Sequence, residues 1–344
     1  MKAMLLNQIC DLSRTESPLT MAEWEIPEPG QEELLLQVLS CGVCHTELDE
    51  IEGRTPPPAF PIIPGHQVVG RVVKTGEKVT HHQLGARVGV GWIYSACGQC
   101  EFCRKGEENL CARFRATGRD HHGGYAEYMV VPQNSAIPIP GTISDAEAAP
   151  LLCAGAIGYR SFNLLDFRAG QSLGLMGFGA SAHLVLKMVR HLFPDTRVSV
   201  FARSESERTF AMEIGAYWSG DIDQPPPERL HGIIDTTPAW KPVVCSLKAL
   251  QPGGRLVINA IRKESADQDA LMSLNYETHL WEEKEIKSVA NVTRSDISEF
   301  LDLAASIPLK PEAQEFSLED ANKALLELKN RKIRGAKILR LASG

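Results

Sequence analysis

Four cysteines, Cys97, Cys100, Cys103 and Cys111, stand in the run CGQCEFCRKGEENLC. The spacing C-x2-C-x2-C-x7-C lets one short loop close a tetrahedron of thiolates around zinc, with Zn–S distances of about 2.3 Å. All four donors are sulfur, so no position is left for water or substrate. The run predicts a closed, structural site and places the chemistry elsewhere. The alternative is a pair of disulfides in a secreted loop, but nothing else in the chain suggests export.

The chain has 344 residues, enough for two domains with separate cores. Its N-terminus, MKAMLLNQICDLSR, carries no apolar stretch of signal-peptide length before Asp11. The longest nearly uncharged apolar stretch, around Ala148 to Tyr159, is too short to span a bilayer. A cytoplasmic protein with no membrane partner is expected. A net charge of −7 argues against a general nucleic-acid surface. Nine cysteines in such a chain are better explained by metal than by disulfides. Cys10, Cys41, Cys44, Cys153 and Cys245 lie outside the four-cysteine run.

Two patterns divide the chain. Up to about Pro150, short β-type runs (EELLLQVLS, QVVGRVVKTG, ARVGVGW, YAEYMVV) alternate with breakers such as TPPPAFPIIPG. They predict a barrel-like or irregular β domain. After about Leu151, apolar runs (SLGLMGF, RVSVFA, HGIIDTT, GRLVINA, EIKSVAN) alternate with helical stretches. One helix sets Leu184, Val185, Met188, Val189 and Leu192 at helical spacing, closed by Pro194. This alternation predicts a doubly wound parallel sheet of α/β class. From about Thr293 the tail adds helices and a last strand, AKILRL. Ser317 followed by Asp320 announces one of those helices by a capping-box pattern.

Between a predicted strand and a predicted helix stands Gly177-Phe178-Gly179-Ala180-Ser181-Ala182, a G-x-G-x-x-A turn. Gly177 and Gly179 permit a tight turn and close approach of backbone to a pyrophosphate. Ala182 keeps the helix near the sheet, and the helix N-terminus offers amide donors to phosphate. In an NAD site the second strand ends in Asp or Glu for the ribose 2′-hydroxyl. Here it ends Phe201-Ala202-Arg203-Ser204. Arg203 suits a 2′-phosphate by charge and fork geometry, so NADP(H) is favoured over NAD(H). The competing reading makes Arg203 a solvated loop residue paired with Glu205 or Glu207.

Cys44 and His45 (in CGVCHTELD), His66 (in PGHQVVG) and Cys153 (in APLLCAGAIGY) have metal-binding chemistry but are scattered. Spacing alone does not gather them. With these motifs the chain resembles the zinc-dependent alcohol dehydrogenases of the medium-chain dehydrogenase/reductase superfamily. The resemblance runs through CGVCHTE, PGHQVVG, the four-cysteine run, GGYAEY, APLLCAG and GFGASA, in family order, over essentially the whole chain. It implies a GroES-like catalytic domain from residues 1–153 and 291–344, with a Rossmann cofactor domain at 154–290. It further implies a catalytic zinc on Cys44, His66 and Cys153 with its fourth position open, and a second, structural zinc on the four-cysteine run. Two thiolates cancel the charge of zinc and leave a moderate Lewis acid.

The same resemblance implies reversible hydride transfer between an alcohol and a nicotinamide cofactor, with Thr46 taking or relaying the hydroxyl proton. His45 and Arg334 are implied at the cofactor pyrophosphate. Departures from the family pattern are Gln67 where Glu often follows the ligand histidine, Glu47 where an Asp commonly stands behind the ligands, and Asp49 where many relatives have histidine. The relay is therefore followed no further than Thr46. Trp92, with Ile51 and Leu152 beside it as lining candidates, narrows the expected substrate pocket toward flat or primary alcohols, aromatic ones included. Polyol or secondary-alcohol dehydrogenases of the superfamily are the competing enzymes, but polyol members present Glu where Cys153 stands. Zinc-free quinone or enoyl reductases would lack Cys44, His66 and Cys153 together. A non-catalytic cofactor-binding protein is opposed by the intact triad beside Thr46. A homo-oligomer, dimer or tetramer, is expected by resemblance.

Overall fold

The structure is a computed structural model that describes residues 1–330 and 334–341. The chain forms two compact units. One comprises Met1–Cys153 and the chain from Val292 onward; the other is Ala154–Asn291. Among the described residues no helix is long and apolar enough to cross a membrane.

The first unit is built on the strand Glu33–Val43, whose near-continuous apolar sequence is buried along almost its whole length. It pairs antiparallel with Val68–Thr75, Tyr128–Pro132 and Ala336–Arg340. The sheet continues through Arg87–Val90 to Ala136–Pro138 on one side and through Ala336–Arg340 to Ala313–Ser317 on the other. Two register shifts, between Leu35 and Leu36 and between Val38 and Ser40, bend the long strand. Leu34, Leu36, Val68, Val88, Met129 and Leu339 fill the core beneath it. The four-cysteine run emerges from a small ribbon in which Ile93–Ser95 pairs with Arg115–Ala116. In the tail, Ser317 and Asp320 are bonded as their spacing requires, Oγ to Oδ2 at 3.0 Å. The first turn there is 3₁₀, Leu318–Asp320, before the helix Ala321–Lys329.

The second unit is a six-stranded, wholly parallel sheet. Its order is Trp218–Gly220, Val198–Phe201, Leu173–Met176, Leu230–Asp235, Leu250–Ile258, Glu285–Ser288. Numbered along the chain this is 3-2-1-4-5-6, the order of a doubly wound dinucleotide fold. Leu173–Met176 and Val198–Phe201 are buried at every position, as expected of strands covered on both faces. Trp218–Gly220, at one edge, is three residues long and carries no periodic signal in the sequence. The first strand ends at the point where the strand order reverses, and the glycine turn follows it directly.

Candidate active site and metal centres

Cys44 caps the N-terminus of the short helix His45–Ile51, in extended conformation with φ −130° and ψ 167°. Three residues on, Glu47 reaches back: its Oε2 accepts the Cys44 amide at 2.8 Å. Its Oε1 lies 2.6 Å from His66 Nδ1. One carboxylate thus fixes a thiol-bearing backbone and an imidazole 22 positions further along the chain. His66 follows Gly65, whose φ of +98° excludes most side chains; a Cβ there would also meet the Tyr125 ring at 2.4 Å. Cys153 comes from a π-turn, Leu151–Gly155, behind the helix Asp145–Pro150. Single π-turns of this kind recur at functional sites.

These three scattered residues converge. The donor atoms of Cys44, His66 and Cys153 lie within 4.8 Å of one another. His66 is 1% exposed, yet its Nε2 is buried without any protein partner. A buried ring nitrogen left open beside two sulfurs is an arrangement that a metal ion satisfies and an apolar core does not. The fit to zinc is good: two thiols and one imidazole, the imidazole oriented through its other nitrogen by a carboxylate.

With no cation among them, the three groups compete for charge. A hydrogen bond from Cys153, against the opposing effect of burial and with help from His66, holds the Cys44 thiol well below the ordinary range. The same bond, with burial, pushes Cys153 well above it. Burial works against a charge on His66, but Glu47 and Cys44 outweigh it and raise the imidazole well above its usual value. Thr46, 8% exposed, places Oγ1 3.8 Å from Cys44 Sγ. His45, next to it, is exposed. Asp49 is engaged by Arg54, whose Nε donates to its Oδ1 at 2.6 Å. Arg54 also pairs with Glu52, which Lys329 holds in turn. Gln67 is buried, and its backbone carbonyl accepts the Gly42 amide at 2.9 Å.

The four-cysteine loop is organised differently. Its four sulfurs also lie within 4.8 Å of one another, with Cys97 and Cys103 Sγ 3.8 Å apart. The amides of Gln99 and Cys100 donate to Cys97 Sγ at 3.5 and 3.4 Å, and lower its pKa to about 5. Burial and the neighbouring thiols push Cys103 up to about 12. No carboxylate or imidazole belongs to this group, and all nine cysteines of the chain are free of disulfides.

In the parallel-sheet unit, Gly177 has φ +85°, and a Cβ there would meet Thr236 Oγ1 at 2.7 Å. Gly179 caps the helix Ala180–Leu192, and the space its side chain would occupy is open. Ala182 is fully buried. The turn thus presents bare helix amides to open space, the arrangement that receives a phosphate. Arg203 is exposed just past the tip of Val198–Phe201 and forms no ion pair among the described residues, with Glu205 and Glu207 or otherwise. Ser204 is committed to capping the next helix, donating to Glu207 Oε2 at 2.7 Å. Arg334 is exposed before the strand Ala336–Arg340.

Among the lining candidates, Trp92 packs against Phe114 with ring centroids 4.8 Å apart, under the Arg119 guanidinium at 5.4 Å. Its indole Nε1 is buried without a partner. Ile51 and Leu152 are both fully buried, and Ile51 belongs to the hydrophobic core of its unit. From the sequence Glu47 is legible only as a departure from a pattern. Glu50 and Arg119 carry no motif; helical spacing from Thr46, four residues before Glu50, is the one signal for Glu50.

A β-rich unit carrying an open three-donor centre, with a dinucleotide-type sheet inserted in its chain, defines a metal-dependent oxidoreductase of two-domain type. Residues 30–141 match the alcohol dehydrogenase GroES-like domain. The chain is 39% identical over 327 residues to "Probable alcohol dehydrogenase AdhA" of Mycobacterium tuberculosis (strain CDC 1551 / Oshkosh), covering 94% of this chain and 92% of that one. It is 31% identical over 350 residues to an alcohol dehydrogenase of Geobacillus stearothermophilus, covering 99% of both. Among solved structures, cinnamyl alcohol dehydrogenase from Sorghum bicolor (L.) Moench superposes with a TM-score of 0.82 at 25% identity, covering 98% of this chain and 97% of that one. The chain belongs to the zinc-dependent alcohol dehydrogenase family of the medium-chain dehydrogenase/reductase superfamily, and it is an alcohol dehydrogenase.

Proposed function

We propose that the chain is a two-zinc, NADP(H)-preferring dehydrogenase of primary alcohols, aromatic ones included, working equally as an aldehyde reductase. The observation that carries this reading is the convergence of Cys44, His66 and Cys153 with His66 Nε2 left open. These residues hold the catalytic zinc, and Cys97, Cys100, Cys103 and Cys111 hold the structural one. When bound, the catalytic ion supplies Lewis acidity that lowers the pKa of an alcohol hydroxyl or polarises an aldehyde carbonyl. Glu47 accepts from Nδ1–H and so keeps the imidazole in the tautomer whose Nε2 carries a free lone pair. Thr46 Oγ1 would take the proton of the alcohol hydroxyl while giving up its own to solvent; Asp49, committed to Arg54, is not its next carrier. Trp92 lines the alcohol site and favours flat substrates.

Gly177, Gly179 and Ala182 seat the cofactor pyrophosphate, with His45 and Arg334 as its cationic partners. Arg203 meets the 2′-phosphate, an interaction supported by its exposure and by the absence of a carboxylate at the strand tip. The enzyme works in the cytoplasm as a homo-oligomer. The supporting observation is the edge strand Glu285–Ser288, exposed along its whole length, near which Met272, Tyr276 and Trp281 are 89%, 62% and 59% exposed. Such an edge is a template for a second copy.

A panel of primary, secondary, aromatic and polyol alcohols, assayed with NADP and with NAD, tests the reading. Preference for primary alcohols with NADP is expected. Arg203→Ala should cost about 10- to 100-fold in kcat/KM for NADP and leave NAD nearly untouched. A strong NAD preference in the unmodified protein overturns the Arg203 assignment, and a single zinc per subunit overturns the metal assignment.

A further inference from the structure

The helix that carries the metal site holds a second buried carboxylate without an assigned role. Glu50 is 1% exposed, and neither of its oxygens has a hydrogen-bond partner. It stands one turn beyond Thr46 and three residues beyond Glu47, so it is a helical neighbour of each on His45–Ile51, and all three are buried. The charged groups around it are Glu47, His66, Arg119 and Cys44. Glu47 and Cys44 oppose a negative charge there. His66 is already tied to Glu47, and Arg119 is tied to Asp120 at 2.8 Å and stacked on Trp92 and Phe114. Burial, reinforced by Glu47, holds the carboxyl well above its ordinary range.

A carboxyl in that position is costly. It is removed from water, faces like charge and receives no hydrogen bond, and apolar residues of similar size would serve the core better. What relieves it is positive charge at the Cys44–His66–Cys153 centre. We propose that Glu50 is an electrostatic positioning residue for the zinc of the three-donor site, raising the affinity of that site and drawing stabilisation from it. This rests on the reading of the three-donor site as a zinc site. A divalent cation there reverses the local balance: the ion favours the ionised carboxylate, and the carboxylate favours the ion. The two are linked, so each strengthens the other by the same factor. Glu50 touches neither the reacting hydroxyl nor the cofactor in this scheme. It acts through the charge it adds beside the centre.

The test compares both zinc sites of one molecule. Zinc dissociation constants are measured by chelator competition for the unmodified protein, Glu50→Gln and Glu50→Leu, with melting temperatures of the zinc-loaded and zinc-stripped forms. Both variants should weaken the three-donor site by about tenfold or more and leave the four-cysteine site within about twofold. Zinc-stripped Glu50→Leu should melt above zinc-stripped unmodified protein, because it removes the buried unpartnered carboxyl, whereas Glu50→Gln keeps a polar head there. Unchanged affinity of the three-donor site in both variants overturns the proposal. So does parallel weakening of both sites, or a stripped Glu50→Leu protein that melts lower, since those outcomes mark Glu50 as part of the packing. An unmodified protein that binds one zinc overturns the zinc reading itself, and the proposal with it.

Discussion

The two sulfur clusters of the β-rich unit have opposite constructions. Cys97, Cys100, Cys103 and Cys111 come from one loop closed at its base by a two-stranded ribbon, and backbone amides of the same loop tune Cys97. Cys44, His66 and Cys153 come from a helix cap, a segment beside a strained glycine and a π-turn. A carboxylate from one of those elements tunes the imidazole of another. The first cluster offers four thiols, enough by themselves to fill a tetrahedral shell. The second brings three donors, surrounds them with buried ionisable groups and leaves one position free. A closed shell built locally serves stability, whereas an open one built from distant segments serves chemistry and depends on the whole fold to exist.

The sharpest way to break this contrast is Cys153→Ala. It should remove one of two zinc ions and lower turnover by roughly 10⁴-fold or more, since metal polarisation supplies several kcal/mol to the transition state. Metal analysis beside the activity assay checks both parts. Loss of activity with both ions retained would mean that Cys153 is no ligand.

Thr46→Val keeps the shape and removes the hydroxyl. Zinc content should stay at two, and kcat should drop about 10²- to 10⁴-fold, the range for a positioned proton acceptor. Retention of full kcat would move the proton route to another group. Glu47→Gln comes next. The amide can still accept from His66 Nδ1, but no longer from the Cys44 amide with its other arm. Affinity for the catalytic zinc should fall by about 10- to 100-fold, measured by chelator competition, while the four-cysteine site is unmoved.

The two clusters also differ in how far the chain announces them. Contiguous signals read directly: the four-cysteine spacing needs only a loop, and the Gly177–Ala182 turn needs only the strand before it and the helix after it. Both occur where the pattern places them. Cys44, His66 and Cys153 are gathered by sheet pairing across the unit, and no local period encodes that. Only the resemblance in motif order brought them together. Glu50 shows the remaining gap. Acidic residues on a short helix are most often solvated, and its burial follows from tertiary packing that helical spacing cannot reveal. Trp218–Gly220 escaped for a simpler reason: three residues hold no period, and its place is set by pairing with Val198–Phe201.

The mildest expected effect on chemistry belongs to the closed cluster. Cys103→Ser replaces one thiolate by a hydroxyl that binds zinc weakly, and the loop 97–111 loses its closure. Its cost should appear as a lower melting temperature and easier proteolysis within the loop, because binding energy at a structural zinc is folding energy. The catalytic donors come from other elements of the unit, the helix His45–Ile51, the segment before Val68–Thr75 and the π-turn. In protein kept below its new melting point, kcat should therefore remain within about threefold of the unmodified enzyme, a change of less than 1 kcal/mol in the barrier. Turnover measured at several temperatures separates the two effects: a loss that deepens only with heating is loss of fold. A folded Cys103→Ser protein that is inactive at low temperature would place the four-cysteine loop in the chemistry, and the contrast between the clusters would fail.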